Sequence, residues 1–346
     1  MKIAHIIFCL STGGAETMLI DIINQQSKDN EISLIVINKN YSIDLVNKVN
    51  NNINIYLINR QEGSLNPYYY IKFNIILTKI KPDIIHCHNS NIAPLIINHK
   101  TKKLYLTVHD TMQDIKYYEY YHKIFAISKA VKEHINSIKF FPNIQIIPNG
   151  IPIEQIKSRE HTKELNTLKI IQVSRLYTEY KGQDILIRAI KQIVTEGITN
   201  IKIDFIGDGD SKQELLKLTK DLQLERYVNF LGLKDRNYIY NHLKDYDLFV
   251  QPSIYEGFGL TVAEAMAAKL PVLVSNIEGP MEIIGQGKYG SFFHVKDSKA
   301  CAAKIKEIFN SYQKYQDIAE TISFQHVITN YSINLTAKRY LKEYEK

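Results

Sequence analysis

The sequence predicts an α/β protein of two doubly wound parallel-sheet domains. Three observations carry that expectation. The chain has 346 residues, more than the roughly 250 to 300 that one hydrophobic core serves efficiently. Short β-branched runs alternate with helix-length periodic stretches, and the alternation runs through the chain twice, as βαβ units of parallel sheets require. Between the two series stands Pro148-Asn149-Gly150-Ile151-Pro152, a dense turn signal suited to a domain join.

The first series places strands at Ile3 to Leu10, Ile32 to Ile37, Ile53 to Ile58, Asp83 to His88, Leu104 to His109, Ile124 to Ile127 and Ile144 to Ile147. One intervening helix is expected to begin at Asn66-Pro67, because proline suits a first helical turn. The second series places strands at Lys169 to Ser174, Ile201 to Ile206, Tyr227 to Leu231, Leu248 to Gln251 and Pro271 to Ser275. Glu154 to Thr167 is polar and aperiodic. Ile333 to Lys346 reads as an amphipathic helix offering Leu335, Tyr340, Leu341 and Tyr344 for packing. Domains are therefore expected over 1–152 and 153–329, with the helix of about 330–346 free to pack back on the first.

Apolar residues make up 45% and charged residues 23%, the balance of a soluble globular chain and not of a disordered or fibrous one. The apolar run of Met1 to Leu10 is too short to span a membrane and lacks a cleavage site, so it reads as a first strand and not as a signal peptide. Cys9, Cys87 and Cys301 lie far apart without metal-ligand spacing, and a reducing, cytoplasmic compartment is the simplest expectation. The net charge of +7 spreads over both halves. It is compatible with an anionic substrate or an anionic membrane face, and there is no basic arm or RNA-binding motif to suggest nucleic acid.

Open parallel sheets bind ligands beyond the carboxyl ends of their strands, so chemistry is sought in the loops that follow them. After the first strand come Ser11-Thr12-Gly13-Gly14-Ala15-Glu16. This glycine pair opens into a helix, whose N–H groups could face a phosphate or merely make a tight turn. In the second series, Ser174 to Gly182 holds Arg175 and Lys181. A planar fork and a point charge together suit a diphosphate, although paired loop cations are often only solvated.

The most informative segment runs from Ser253 to Ala268, where a strand end is followed by Glu256, a glycine-flanked Phe258 and a helix. Glycine lets backbone approach a ligand, and the helix N-terminus favours negative charge there. Glu256 is expected in the loop and Glu264 in the first helical turns, one holding a sugar and the other a ribose. Thr261-Val262-Ala263-Glu264 also fits a capping box, in which Glu264 would have no ligand.

The segment Glu256-Gly257-Phe258-Gly259-Leu260-Thr261-Val262-Ala263-Glu264 resembles the Glu-x7-Glu motif of the retaining glycosyltransferases with GT-B fold, family 4, also called glycosyl transferases group 1. Other landmarks follow in family order: Gly13-Gly14-Ala15-Glu16, Asp83 to His88, Ser128-Lys129, Pro148-Asn149-Gly150, Ser174-Arg175-Leu176 with Lys181-Gly182, Gly207-Asp208-Gly209 and Gly279-Pro280-Met281-Glu282. The resemblance implies two Rossmann-like domains facing across a cleft, acceptor-binding first and donor-binding second. It implies Arg175 and Lys181 on the donor diphosphate, Glu264 on the ribose, and Glu256 with the backbone of Gly257, Phe258, Gly259 and Leu260 on the transferred sugar. Gly13 and Gly14 would close on the phosphates. The spacing departs from the family in one place: five residues, Leu176 to Tyr180, separate the two cations instead of four.

His109 ends a strand and, by the resemblance, lies near the donor sugar; the alternative is a satisfied loop histidine. His86 and His88 share one strand face but have no third metal ligand nearby in sequence, so no metal is expected. The runs Tyr68 to Tyr70 and Tyr117 to Lys123, with Lys100, Lys102 and Lys103, form either ordinary packing or a lip that touches an anionic membrane. The expected function is transfer of a hexose-type sugar, from a UDP-sugar first of all, to a glycan or lipid-linked saccharide. No cofactor is expected beyond the donor. The setting expected is bacterial cell-surface polysaccharide synthesis at the inner membrane face. The rivals are a nucleotide-sugar epimerase of the same fold and a non-catalytic homologue acting as a partner subunit.

Overall fold

The structure, a computed structural model, describes residues 1–11, 13–98, 103–110, 114–160 and 165–346. It divides into two compact units, Met1–Ile151 together with Ile333–Lys346, and Pro152–Ser332.

In the first unit the strands are β1 (Lys2–Ile7), β2 (Glu31–Asn38), β3 (Asn54–Arg60), β4 (Ile84–Cys87), β5 (Leu104–Val108), β6 (Lys123–Ala126) and β7 (Ile144–Ile146). They form a seven-stranded sheet in the order β3-β2-β1-β4-β5-β6-β7, and every pairing is parallel. Such sheets are covered on both faces and read as near-continuous apolar runs; β2 is buried from its second residue to its last. The covering helices are α1 (Gly14–Gln26), α2 (Ile43–Val46), α3 (Pro67–Ile80) and α4 (Lys129–Ile138). Pro67 stands at the start of α3, and the Asn66 side chain accepts from Tyr68 N at 3.0 Å, a combination that satisfies an orphan donor where proline has none to offer.

The second unit has β8 (Leu168–Val173), β9 (Ile201–Ile206), β10 (Val228–Gly232), β11 (Leu248–Gln251), β12 (Val272–Ser275) and β13 (Ser291–Phe293), a parallel sheet in the order β10-β9-β8-β11-β12-β13. Its helices are α5 (Thr178–Lys181), α6 (Gln183–Thr195), α7 (Lys212–Asp221), α8 (Arg236–His242), α9 (Leu260–Ala267), α10 (Glu278–Ile283), α11 (Ser298–Asn310), α12 (Tyr312–Ile318) and α13 (Phe324–Asn330). Ile170, Ile203, Phe205 and Val250 of the sheet are buried in one core with Leu186 and Ile190 of α6 and Ile305 of α11.

The terminal helix, α14 (Ile333–Tyr344), packs on the first unit. Tyr340 and Tyr344 enter its core beside Ile3, Tyr105 and Phe125, and Glu343 meets Lys123 at 2.6 Å with both side chains largely buried. Several strand boundaries differ from the sequence expectation. The first strand ends at Ile7, and Leu10 only bridges to Tyr41. The fifth ends at Val108, leaving His109 just beyond it. The three-residue β13 lies outside the expectation altogether, because a strand this short beside glycines carries no alternation to read.

Candidate active site

The loops after β8 and β11 are fastened together by backbone. The carbonyl of Tyr180 accepts from Ile254 N at 2.8 Å and from Tyr255 N at 3.1 Å. The residues that follow each side, Lys181 and Glu256, are thereby set opposite one another, and Lys181 Nζ reaches Glu256 Oε2 at 2.6 Å. Gly182 permits the approach: it has φ of +61°, and a Cβ there would stand 2.1 Å from Pro252 O, so only glycine fits. Buried glutamines brace the same loop. Gln172 Nε2 donates to Lys181 O at 3.0 Å, and Gln183 Nε2 donates to Ser174 Oγ at 3.0 Å and to Arg175 O at 2.9 Å. The five residues between the cations include most of the single turn α5, which ends on Lys181. Arg175 is exposed.

Glu264 lies in α9 and is 9% exposed. The N-cap of that helix is Gly259, without a side-chain cap, so Thr261 is not at the cap and Glu264 is not at the third helical position. The capping-box alternative is thus set aside. Instead Tyr240 donates its hydroxyl to Glu264 Oε1 at 2.8 Å, and Arg236 Nε donates to the same hydroxyl. Burial, and then the Glu264 carboxylate, hold the Tyr240 phenol well above its ordinary range, which keeps it a donor.

Gly257 and Leu260 are half-buried and Gly259 is buried. The Phe258 side chain is 3% exposed, with its ring 5.7 Å from that of Tyr331; it is a core residue, and any ligand contact from this position falls to its backbone. Gly279 starts the packing of α10 on the same loop: a Cβ there would stand 2.4 Å from Glu256 O.

In the first unit, Gly13 is the N-cap of α1, which begins at Gly14. The Glu16 carboxylate lies against it, where a Cβ on Gly13 would meet Oε2 at 2.4 Å, and a carboxylate in a first turn complements the helix dipole. Thr12 lies outside the described residues.

His109 is joined to a group that sequence spacing does not reveal. Parallel pairing sets His5 of β1 beside His86 of β4. His5 Nδ1 lies 3.1 Å from His88 Nε2, and His88 Nδ1 lies 3.2 Å from His109 Nε2. His86 Nε2 meets Thr107 Oγ1 at 2.7 Å, and its Nδ1 meets the Tyr344 hydroxyl at 2.5 Å. Ring nitrogens of His5, His86 and His88 lie within 4.8 Å of one another, so a third histidine does join the pair from the β4 segment. All six nitrogens nevertheless have protein partners, counting Gln26 on His5. The rings of His86 and His88 also stack, 4.7 Å apart at 22°. Burial pushes His5 and His109 down to about 4, and His86 and His88 well below their ordinary value.

The tyrosine runs divide. Tyr118 and Tyr121 are buried in the first unit, whereas Tyr68, Tyr70 and Tyr120 are exposed. Lys100 and Lys102 lie outside the described residues; Lys103 is exposed. Among the described residues no helix is long and apolar enough to cross a membrane. Sequence reasoning missed Tyr240, Gln172, Gln183 and His5. Only His5 carried a signal, as a lone polar residue in the apolar run of β1.

The comparisons with known proteins agree with this architecture. The family model of glycosyltransferase family 4 matches residues 12–155, and that of glycosyl transferases group 1 matches residues 154–323. An uncharacterized glycosyltransferase of Methanocaldococcus jannaschii is 28% identical over 302 residues, which is 78% of this chain and 77% of that protein. A poly(ribitol-phosphate) alpha-N-acetylglucosaminyltransferase of Staphylococcus aureus is 27% identical over 70% of this chain, which spans only 51% of that protein's length. The Anabaena HepE protein, solved in complex with UDP and glucose, superposes with a TM-score of 0.81 at 20% identity over the whole of both chains. The chain belongs to the group 1 glycosyltransferase family and has the GT-B fold.

Proposed function

We propose that this glycosyltransferase moves a hexose-type sugar from a nucleotide diphosphate sugar, a UDP-sugar first of all, to a glycan or lipid-linked saccharide with retention of anomeric configuration. The observation that carries the reading is the Lys181 and Glu256 pair, 2.6 Å apart on two loops that both follow sheet strands. In the reading, Lys181 and Arg175 neutralise the diphosphate as charge gathers on it. Glu256 and the backbone from Gly257 to Leu260 hold the sugar, Glu264 binds the ribose, and Gly13 and Gly14 add N–H groups to the phosphates. Fixed cations and helix dipoles need no reorganisation when the bond breaks, so neither a metal nor a further cofactor is required.

In the transfer step the bond from the anomeric carbon to the β-phosphate oxygen breaks, and its electron pair stays on the phosphate. The acceptor hydroxyl oxygen forms the new bond on the same face, and its proton passes to the departing phosphate. No protein nucleophile takes part; Glu256 positions the sugar and balances charge. Free Cys9, Cys87 and Cys301 suit a reducing, cytoplasmic setting for this work.

A membrane-held acceptor in cell-surface polysaccharide synthesis is favoured by one surface of the first unit. On α3, Tyr68, Ile71 and Ile75 are 59%, 54% and 59% exposed, and Leu65 before them is 97% exposed. Residues 65–81 include Lys72, Lys79 and Lys81 and no acid. Apolar side chains flanked by lysines suit the headgroup layer of an anionic bilayer.

A thermal-shift screen of UDP-, GDP- and ADP-sugars tests the donor assignment, because a ligand of the folded state raises apparent stability. A shift with a UDP-sugar, and turnover unaffected by a chelator, is the expected result. An epimerase would instead convert the donor without an acceptor, and a non-catalytic homologue would show no turnover.

A further inference from the structure

Three imidazoles of the first unit form a hydrogen-bonded row that ends on an unshared atom. Gln26 Oε1 lies 2.8 Å from His5 Nε2, His5 Nδ1 lies 3.1 Å from His88 Nε2, and His88 Nδ1 lies 3.2 Å from His109 Nε2. Gln26, His5 and His88 are at most 2% exposed. His109 Nδ1 is itself buried and, among the described residues, has no hydrogen-bond partner.

The protons along this row are ordered by elementary donor and acceptor rules. An amide oxygen only accepts, so His5 donates from Nε2. A neutral imidazole carries one N–H, which leaves His5 Nδ1 to accept from His88 Nε2. His88 Nδ1 must then accept from His109 Nε2. The remaining nitrogen, His109 Nδ1, is left with a lone pair. The rings stay neutral because burial opposes their charging. His86 stands outside the row, with both nitrogens committed to Tyr344 and Thr107.

We propose that Gln26, His5 and His88 are positioning residues that hold His109 as its Nε2-protonated tautomer, so that Nδ1 presents an acceptor to a hydroxyl of the donor sugar. The inference rests on the reading of His109 as a donor-sugar residue. A neutral acceptor suits that place electrostatically. An imidazolium would repel the positive charge that grows on the sugar ring as the leaving group departs, whereas a lone pair anchors a hydroxyl without that penalty. The second nitrogen of a functional histidine commonly sets what the first can do, and here the setting comes from Gln26 through two further rings.

The test uses the full-length protein labelled with [15N]histidine, with the ring nitrogens of His109 assigned by comparison with His109→Gln. Near neutral pH the wild type is expected to show His109 protonated on Nε2 and bare on Nδ1. Gln26→Leu removes the amide that orders the row, and the His109 signals are expected to shift toward a mixture of tautomers. His88→Leu is expected to lower kcat/KM by about tenfold or more. His88→Asn keeps an acceptor near the Nδ1 position and is expected to recover most of that loss. Circular dichroism on each variant separates loss of fold from loss of positioning. An unchanged His109 tautomer in Gln26→Leu, or a wild-type His109 protonated on Nδ1, overturns the inference while leaving the sugar-binding reading intact. Full activity of His109→Gln overturns that reading instead, whatever the tautomer.

Discussion

Lys181 Nζ lies 2.6 Å from Glu256 Oε2, with the two side chains 23% and 21% exposed, so the cation assigned to the diphosphate and the acid assigned to the sugar neutralise each other before either meets a ligand. On the proposed reading, a donor diphosphate would share Lys181 with Glu256, and substrate binding would be an exchange of partners within one small cluster. Half-buried pairs of this kind add little to stability, on the order of 1 kcal/mol or less. On the proposed reading, their value would lie in placing both charges at the anomeric bond.

Removing the cluster's members should therefore separate activity from stability. Lys181→Ala and Glu256→Ala are each expected to lower kcat by about 100-fold or more while shifting the unfolding midpoint little. Glu256→Gln keeps the hydrogen-bonding shape without the charge and should fall between. Turnover assays with denaturant unfolding on the same preparations check this.

Tyr240→Phe deletes a buried donor to Glu264. Loss of that hydroxyl is expected to destabilise the protein by about 1 to 3 kcal/mol, and to weaken nucleotide binding through Glu264. Urea unfolding and calorimetric titration with the nucleotide diphosphate measure the two effects.

Gly182→Ala should be more damaging than its size suggests. The position has φ of +61° and faces Pro252 O at 2.1 Å from a Cβ, so the substitution is expected to destabilise the second unit by about 2 kcal/mol or more. It should also loosen the Lys181 loop, read as a lower midpoint together with lower turnover.

Acid should weaken the first unit before the second. Burial holds His5 at about 4 against an ordinary 6.5, so the folded ring stays neutral where the unfolded one takes a proton. Stability from this ring is full above pH 6.5 and is lost as pH falls from about 6.5 to about 4. The lowering corresponds to about 3 kcal/mol for His5 alone, and His109 acts in the same direction. Unfolding measured across that window should weaken progressively, and less so in His5→Gln.

The exposed face of α3 gives a membrane prediction. A double Ile71→Asp, Ile75→Asp variant should lose binding to vesicles containing anionic lipid, measured by co-sedimentation, while its turnover on a soluble acceptor stays at the wild-type level.

The fold was legible because most of the strands are long or apolar enough to announce themselves; β2, buried almost throughout, has no other reading than a covered parallel strand. The motif around Glu256 was legible because it is local. What the chain order hid were the relationships between distant segments. His5 and His88 are 83 residues apart and meet only through strand register. Tyr240 and Glu264 meet across two helices, and the backbone bonds from Ile254 and Tyr255 to Tyr180 leave no side-chain pattern at all. The Phe258 ring, beside glycines, meets Tyr331 in the core, another contact between distant segments that motif spacing does not show.

The most direct test of sugar transfer at this site is nucleotide release measured with the donor identified by thermal shift, in the wild type and in Glu256→Ala, Arg175→Ala and Lys181→Ala, each verified as folded. The account predicts acceptor-dependent release in the wild type and its loss in all three variants. Unchanged turnover in the three variants would contradict it.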